Sequence, residues 1–264
     1  MKYGQVSLYN STNSLMSYFA RILVYSLVVI LMFSTLIFAD SVDNTKEYVI
    51  LLHGLGRTAK SMSKIEFELK KSGYIVKNIG YPSRKHTIET LVEKYVRPVV
   101  KECSGAKSIH FVTHSLGGIL MRYYLDKYPL QNLGKVVMLS PPNGGSEIVD
   151  KLGAFFLYKW WLGPAFQQLS TKPNSIPNKL QVPNFNLGII TGSKSTNPFF
   201  SYLIPGEDDG KVSIESAFIK GVPFKKIHVT HTWIMKNNSV IKEIVYFLKF
   251  NSFSDSSGKS YFVE

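Results

Sequence analysis

Cysteine is nearly absent from the sequence, since Cys103 is the only one in 264 residues. A single cysteine cannot form an internal disulfide, and it cannot supply the thiolate sets of zinc fingers or iron–sulfur proteins. A chain of this length buries enough apolar surface to fold without such cross-links. The composition therefore excludes disulfide scaffolds and metal-organised domains.

Acidic residues are scarce as well, with 18 Asp and Glu against 31 Lys and Arg, a net charge of +13. The basic residues occur singly or in pairs such as Lys70-Lys71 and Lys225-Lys226, without the basic helix or aromatic-basic motif of nucleic-acid-binding proteins. We therefore expect no nucleic-acid partner. Association with an anionic membrane surface is compatible with this charge.

Residues 22–39 contain no charged side chain, with Arg21 before them and Asp40 after them. An apolar run of this length enters a membrane at least transiently, and the basic flank predicts export of the chain that follows. Two outcomes remain open: cleavage after Ala39 as a signal peptide, or retention as an amino-terminal transmembrane anchor. The expected location is periplasmic, secreted or membrane-anchored through residues 22–39.

Residues 40–264 alternate β-rich apolar runs with helical patterns, which predicts one α/β domain with a mainly parallel sheet flanked by helices. The predicted strands are Tyr48–Leu52, Tyr74–Ile79, Ser108–Thr113, Lys135–Leu139, Leu187–Thr191 and Lys226–Val229, and the predicted helices span 59–71, 87–102, 116–128 and 239–250.

The alternation is interrupted between about residues 141 and 186, a stretch too long for an ordinary connection. It carries the aromatic residues Phe155, Phe156, Trp160 and Trp161. We interpret the stretch as a cap insertion whose aromatic side chains line an apolar substrate pocket. The alternative is a core helix followed by a long loop.

Ser115 lies where the predicted strand Ser108–Thr113 turns abruptly into a helix. Such a turn presents a nucleophilic serine above the sheet edge and requires small residues two positions before and after it, normally Gly-x-Ser-x-Gly. Gly117 fits the second position, whereas Thr113 replaces the first glycine. The Leu116 amide at the start of the helix would face a developing oxyanion.

A second oxyanion donor is expected from an earlier strand end, His53-Gly54-Leu55-Gly56. The two glycines allow the chain to turn back so that the Leu55 amide faces the nucleophile. We interpret His53 as a structural residue that braces this loop.

With these two motifs in this order, residues 46 to 250 resemble the α/β-hydrolases, in particular bacterial lipase-like and esterase-like members. The resemblance implies that the triad acid and histidine follow the serine in sequence. The family pattern Asp-x-x-Val places the acid at Asp209, with Asp208 as its rival, and His231 matches the carboxy-terminal histidine loop.

The implied function is that of a serine hydrolase that cleaves carboxylic esters with apolar acyl or lipid portions through an acyl-enzyme intermediate, without metal or cofactor. The alternatives are an acyltransferase, amidase or thioesterase on the same fold, or an inactive envelope binding protein.

Overall fold

The computed structural model describes residues 21–28 and 45–254. The chain divides into two compact units, Met1–Val42 and Asp43–Glu264. In the first unit the described residues 21–28 are helical. Most of the predicted signal or anchor segment, with its cleavage site at Ala39, lies outside the described residues. No helix within those residues has the length and apolar character needed to cross a membrane.

The second unit is built on a six-stranded sheet in the order β2-β1-β3-β4-β5-β6, and every neighbouring pair is parallel. The strands are β1 (Glu47–Leu52), β2 (Ile75–Ile79), β3 (Ser108–His114), β4 (Leu133–Leu139), β5 (Leu187–Gly192) and β6 (Phe224–Ile227). The predicted α/β class with a parallel sheet is confirmed.

Helices connect the strands and cover the sheet. They are α1 (Ser63–Lys71), α2 (Ile88–Leu91), α3 (Arg97–Glu102), α4 (Leu116–Lys127), α5 (Glu147–Leu152), α6 (Phe156–Leu162), α7 (Pro164–Gln167), α8 (Ile176–Lys179), α9 (Pro198–Leu203), α10 (Ile214–Ala217) and α11 (Asn238–Phe250). Short 3₁₀ turns span Ala59–Met62 and Ile234–Lys236, and a π-helical turn spans Val92–Val96 between α2 and α3.

Strand β6 ends at Ile227, two residues before the end of the predicted strand Lys226–Val229. The Val229 amide donates to the Ile227 carbonyl at 2.7 Å, which turns the chain at His228 and exposes that side chain. The predicted strand Lys226–Val229 implied that His228 packs within the sheet, and this prediction is wrong.

The central strands are buried on both faces, and Val49 to Leu52 of β1 have no solvent exposure. Continuous apolar runs of this kind are typical of parallel strands covered by helices on both sides. On one face α11 packs against β5, where a Cβ atom at Gly188 would lie 2.5 Å from the ring of Phe247. Because Gly188 has no side chain, α11 can approach the sheet closely.

Residues 141–186 form the four short helices α5 to α8, at the carboxyl end of β4. The buried guanidinium of Arg122, on α4, donates to the Asn143 side chain and carbonyl and to the carbonyls of Leu180 and Gln181. One cation therefore ties both ends of this region to the helix that follows Ser115. Burial lowers the pKa of Arg122 to about 10.

Candidate active site

Ser115 occupies the sharp turn between β3 and α4, with φ of 53° and ψ of −123°. A non-glycine residue in this region of backbone space is strained, and such strain is typical of functional turns. The Ser115 amide donates to the Leu139 carbonyl at 2.9 Å, which fixes the turn to β4. A Cβ atom at Gly117 would lie 2.4 Å from the Leu52 carbonyl oxygen, so the expected small residue is required after the serine.

Thr113 takes the position where the usual motif has its first glycine. It is fully buried, and its Oγ1 atom lies 3.4 Å from where a Cβ atom of Gly118 would stand, an ordinary van der Waals distance. The turn thus accepts a threonine at this position.

Asp209 and His231 form a buried hydrogen-bonded pair. The His231 Nδ1 atom lies 2.8 Å from Asp209 Oδ2, and the His231 amide donates to the Asp209 carbonyl at 2.9 Å. The amides of Lys211 and Val212 donate to Asp209 Oδ1 at 3.1 and 3.0 Å. The carboxylate is thus held in one orientation toward the imidazole.

Ser140, the residue after β4, supports this carboxylate. It has a positive φ of 43°, and its hydroxyl accepts a hydrogen bond from the Gly192 amide at 3.2 Å. Burial raises the pKa of Asp209, but the charge of His231 and the hydrogen bonds from His231, Ser140 and Val212 bring it below its ordinary value. Asp209 therefore stays ionised at neutral pH.

Asp208, the rival acid, does not contact His231. Its Oδ1 atom accepts hydrogen bonds from the Ser201 hydroxyl at 3.0 Å and from the Gly210 amide at 2.6 Å. These two hydrogen bonds orient the Asp208 carboxylate toward Ser201 and Gly210.

His114, the residue before Ser115, lies beside His231. Its Nε2 atom is 3.1 Å from the His231 carbonyl oxygen, and the two ring centroids are 4.7 Å apart. Burial lowers the pKa of His114 well below its ordinary value, and the charge of His231 lowers it further. His114 is therefore neutral at neutral pH. The sequence feature that could have indicated this placement of His114 is its position next to Ser115.

The loop after β1 is braced by His53, as expected from the sequence. Its ring stacks on Tyr81 at 3.9 Å, its Nε2 atom accepts from the Tyr81 amide at 3.3 Å, and the Tyr81 hydroxyl donates to the His53 carbonyl. The following Leu55 lines the cavity in front of Ser115. Leu116 begins α4, so its amide has no acceptor within the helix.

Ser115, His114 and His231 open onto one cavity of about 200 Å³. Its apolar wall comes mainly from the 141–186 region, and the residues of that wall are Pro142, Ile148, Val149, Leu152, Trp161, Leu162, Phe166 and Leu169.

Of the four aromatic residues predicted to line the pocket, the structure places one in the cavity wall. Trp161 lines the cavity. Phe155, Phe156 and Trp160 are not among the lining residues, and the last two are 76% and 75% exposed. The turn of α6 directs neighbouring side chains to different sides. Trp161 therefore reaches the cavity wall while 58% of it remains exposed, and Trp160 faces solvent.

The described residues contain no group of three or more His, Cys, Asp or Glu side chains placed to hold a metal ion. A hydroxyl at a strained turn, an imidazole paired with a buried carboxylate, and free amides at a helix start are the groups that acyl transfer through a serine ester needs.

Comparison with known proteins agrees with this architecture. The mature lipase BlEst2 of Bacillus licheniformis superposes with a TM-score of 0.59 at 19% identity, covering 81% of this chain and 95% of the lipase. Phospholipase PlaB from Legionella pneumophila gives a TM-score of 0.61 at 17% identity, covering 78% of this chain and 61% of PlaB. At these identities the likeness shows the α/β-hydrolase fold alone.

Sequence similarity is more specific. Lysosomal thioesterase PPT2-B of Xenopus laevis is 33% identical over 113 residues, which is 38% of this chain and 38% of that protein. The chain thus matches well under half the length of this curated relative. The family model for palmitoyl protein thioesterase matches residues 48–181, half of the chain, including Ser115. The chain is an α/β hydrolase of the lipase, esterase and thioesterase type, and it belongs to the palmitoyl protein thioesterase family.

Proposed function

We propose that this protein is a serine hydrolase that cleaves esters and thioesters of long apolar acyl chains. Ser115 is the nucleophile, His231 the general base and Asp209 the acid that orients it. The observation that carries the proposal is that the buried Asp209–His231 pair faces the same cavity as a serine held at a strained strand-to-helix turn.

The proposed reaction has two steps. Because Asp209 holds Nδ1 of His231, the free Nε2 atom takes the Ser115 proton as Oγ attacks the acyl carbonyl, and the resulting imidazolium protonates the leaving alcohol or thiol. Water then attacks the acyl-serine and loses a proton to His231. The imidazolium returns this proton to Oγ of Ser115 as the acyl–oxygen bond breaks and the fatty acid leaves. The amides of Leu55 and Leu116 stabilise the oxyanion in both steps.

The acyl portion binds against the apolar wall contributed by the 141–186 region, which we propose is a cap. Each CH₂ group buried there contributes up to about 0.8 kcal/mol, so a long chain gains more than a short one. Thioesters enter the proposal because the family model is that of palmitoyl protein thioesterases and the curated relative is a thioesterase.

We further propose that the enzyme works outside the cytoplasm and contacts lipid surfaces. Residues 1–39 are its signal peptide or anchor, and residues 40–264 its catalytic domain. The relative from Xenopus is a lysosomal thioesterase, which agrees with export. Beside the cavity, α6 and α9 expose the apolar side chains Phe156, Trp160 and Tyr202, and an exposed aromatic surface on a cationic protein suits an anionic bilayer.

The experiment that tests the proposed activity measures release of palmitate from an S-palmitoyl peptide and from p-nitrophenyl palmitate. Wild type and the exposed-site control Ser104→Ala should hydrolyse at least one of them, whereas Ser115→Ala should lose on the order of 10³-fold or more in kcat. An acyltransferase would instead transfer the acyl group to added alcohol in preference to water. A binding protein would retain the substrate unchanged.

A further inference from the structure

Two cations line the candidate active-site cavity without a carboxylate to neutralise them. Arg57 follows the Leu55 loop, and Lys211 follows Asp209. No acidic side chain is among the residues that line the cavity, and neither cation forms an ion pair within the described part of the chain.

The acids nearest to Lys211 in sequence are engaged elsewhere. Glu207 pairs with Lys226 at 2.8 Å, Asp208 accepts from Ser201 and Gly210, and Asp209 holds His231.

The two cations lie close enough to repel each other. Lys211 is exposed to solvent overall. Partial desolvation of its ammonium group lowers its pKa, and the charge of Arg57 lowers it further, against a smaller opposing effect of Asp209. Both cations also lower the pKa of His114, at the base of the cavity. Like charges held together in a partly desolvated site are unfavourable until an anion joins them.

The cavity is divided by polarity, which indicates the part of the substrate that meets these cations. The apolar wall belongs to the 141–186 region, whereas Arg57 and Lys211 come from the loops after β1 and β5. A second groove, of about 270 Å³, shares Phe200, Lys211 and His231 with the cavity. Its other lining residues are mainly polar, and the one acid among them, Asp209, has its carboxylate engaged by His231 and by the amides of Lys211 and Val212.

A substrate with its acyl chain against the apolar wall and its carbonyl at Ser115 would extend its alcohol or thiol portion past Lys211 into this groove. We propose that Arg57 and Lys211 form an anion subsite for the leaving group, so that the preferred substrates are acyl esters or thioesters whose alcohol or thiol portion carries a phosphate, sulfonate or carboxylate. This inference rests on the proposed hydrolase function and names the substrate class of the same site.

The test compares two matched pairs of substrates with one palmitoyl group. The thioester pair is S-palmitoyl-2-mercaptoethanesulfonate and S-palmitoyl-2-mercaptoethanol. The ester pair is 1-palmitoylglycerol-3-phosphate and 1-palmitoylglycerol. The quantity measured is the ratio of kcat/KM between the anionic and the neutral member of each pair. A preference in the thioester pair indicates a charged thiol as the leaving group, and a preference in the ester pair indicates a phospholipid headgroup.

Wild type should favour the anionic member of at least one pair. Arg57→Gln and Lys211→Gln should each lower that ratio about tenfold, the effect of losing one charge-assisted hydrogen bond. Arg57→Lys and Lys211→Arg should keep most of the preference, and added salt should reduce it in wild type. The matched control is Lys101→Gln, a loss of one exposed charge in α3, which should leave the ratio unchanged.

Equal kcat/KM for both members of both pairs in wild type would overturn the anion subsite while leaving the hydrolase proposal intact. A parallel loss of both rates in Arg57→Gln and Lys211→Gln, with an unchanged ratio, would also overturn it, because the two residues would then act only on the structure. Hydrolysis of none of the four substrates by wild type would instead overturn the proposed function, and the subsite with it.

Discussion

Two hydrogen bonds join Asp209 to His231, one from the His231 ring to the carboxylate at 2.8 Å and one from the His231 amide to the Asp209 carbonyl at 2.9 Å. The loops after β5 and β6 are thus locked together at both side chain and backbone. Because Nδ1 is engaged, Nε2 is the imidazole atom that would exchange protons with Ser115 in the proposed reaction.

This relationship separates the two adjacent acids. Asp209→Asn should lower kcat by on the order of 10³ to 10⁴, because an amide no longer holds the imidazole in the required tautomer or stabilises its cation. Asp208→Asn should have far less effect, since an amide oxygen still accepts the hydrogen bonds from Ser201 and Gly210. Steady-state hydrolysis with both variants decides the assignment, and the reverse ranking would move the acid to Asp208.

The sequence predicted the sheet and the Ser115 turn because both depend on local patterns: apolar runs, glycine positions and a strand followed by a helix. The family pattern Asp-x-x-Val favoured Asp209 but left Asp208 as a rival, because both acids lie in one turn. The two carboxylates bind different partners in the structure, and only that of Asp209 pairs with His231, which arrives from the end of β6. The contacts of His114 and Ser140 around the Asp209–His231 pair could not be predicted for the same reason, because they join segments far apart in the sequence.

The two tryptophans of α6 allow a matched test of the cap. Trp161→Ala should weaken the preference for long acyl chains, because it removes apolar surface from the cavity wall. Trp160→Ala should preserve the chain-length preference, because its side chain is exposed. A series of p-nitrophenyl esters of increasing chain length measures this, with a melting curve for each variant. An equal loss for short and long esters in Trp161→Ala, with a lower Tm, would make its role structural.

The exposed side chain of Trp160 is expected to contact lipid, which its fluorescence can detect. Vesicles of brominated phosphatidylglycerol should quench the tryptophan fluorescence of wild type, and Trp160→Phe should show less quenching if this side chain enters the bilayer. Identical quenching in the two proteins would place the lipid contact away from α6.

Three buried histidines should make the folded state sensitive to mild acid. Burial lowers the pKa of His53, His110 and His114 from the ordinary value of 6.5. Below about pH 6.5 the unfolded chain binds protons that the folded chain does not, so stability is complete above that pH and falls as the pH decreases, by up to about 1.4 kcal/mol per pH unit for each histidine.

Urea unfolding between about pH 8 and about pH 5 measures this slope. His110→Gln should make it shallower, because one buried imidazole no longer resists protonation, whereas His228→Gln serves as a control at an exposed position. A free energy of unfolding that stays constant over this range in wild type would contradict the assignment of neutral buried histidines.

The central claim, that Ser115 is an activated nucleophile, is tested most directly by reaction with a fluorophosphonate probe followed by mass mapping of the labelled peptide. The account predicts one adduct on Ser115 in wild type and in Asp208→Asn, slower labelling in Asp209→Asn, and none in a folded Ser115→Ala protein. An adduct on another serine, or labelling that persists in Ser115→Ala, would contradict it.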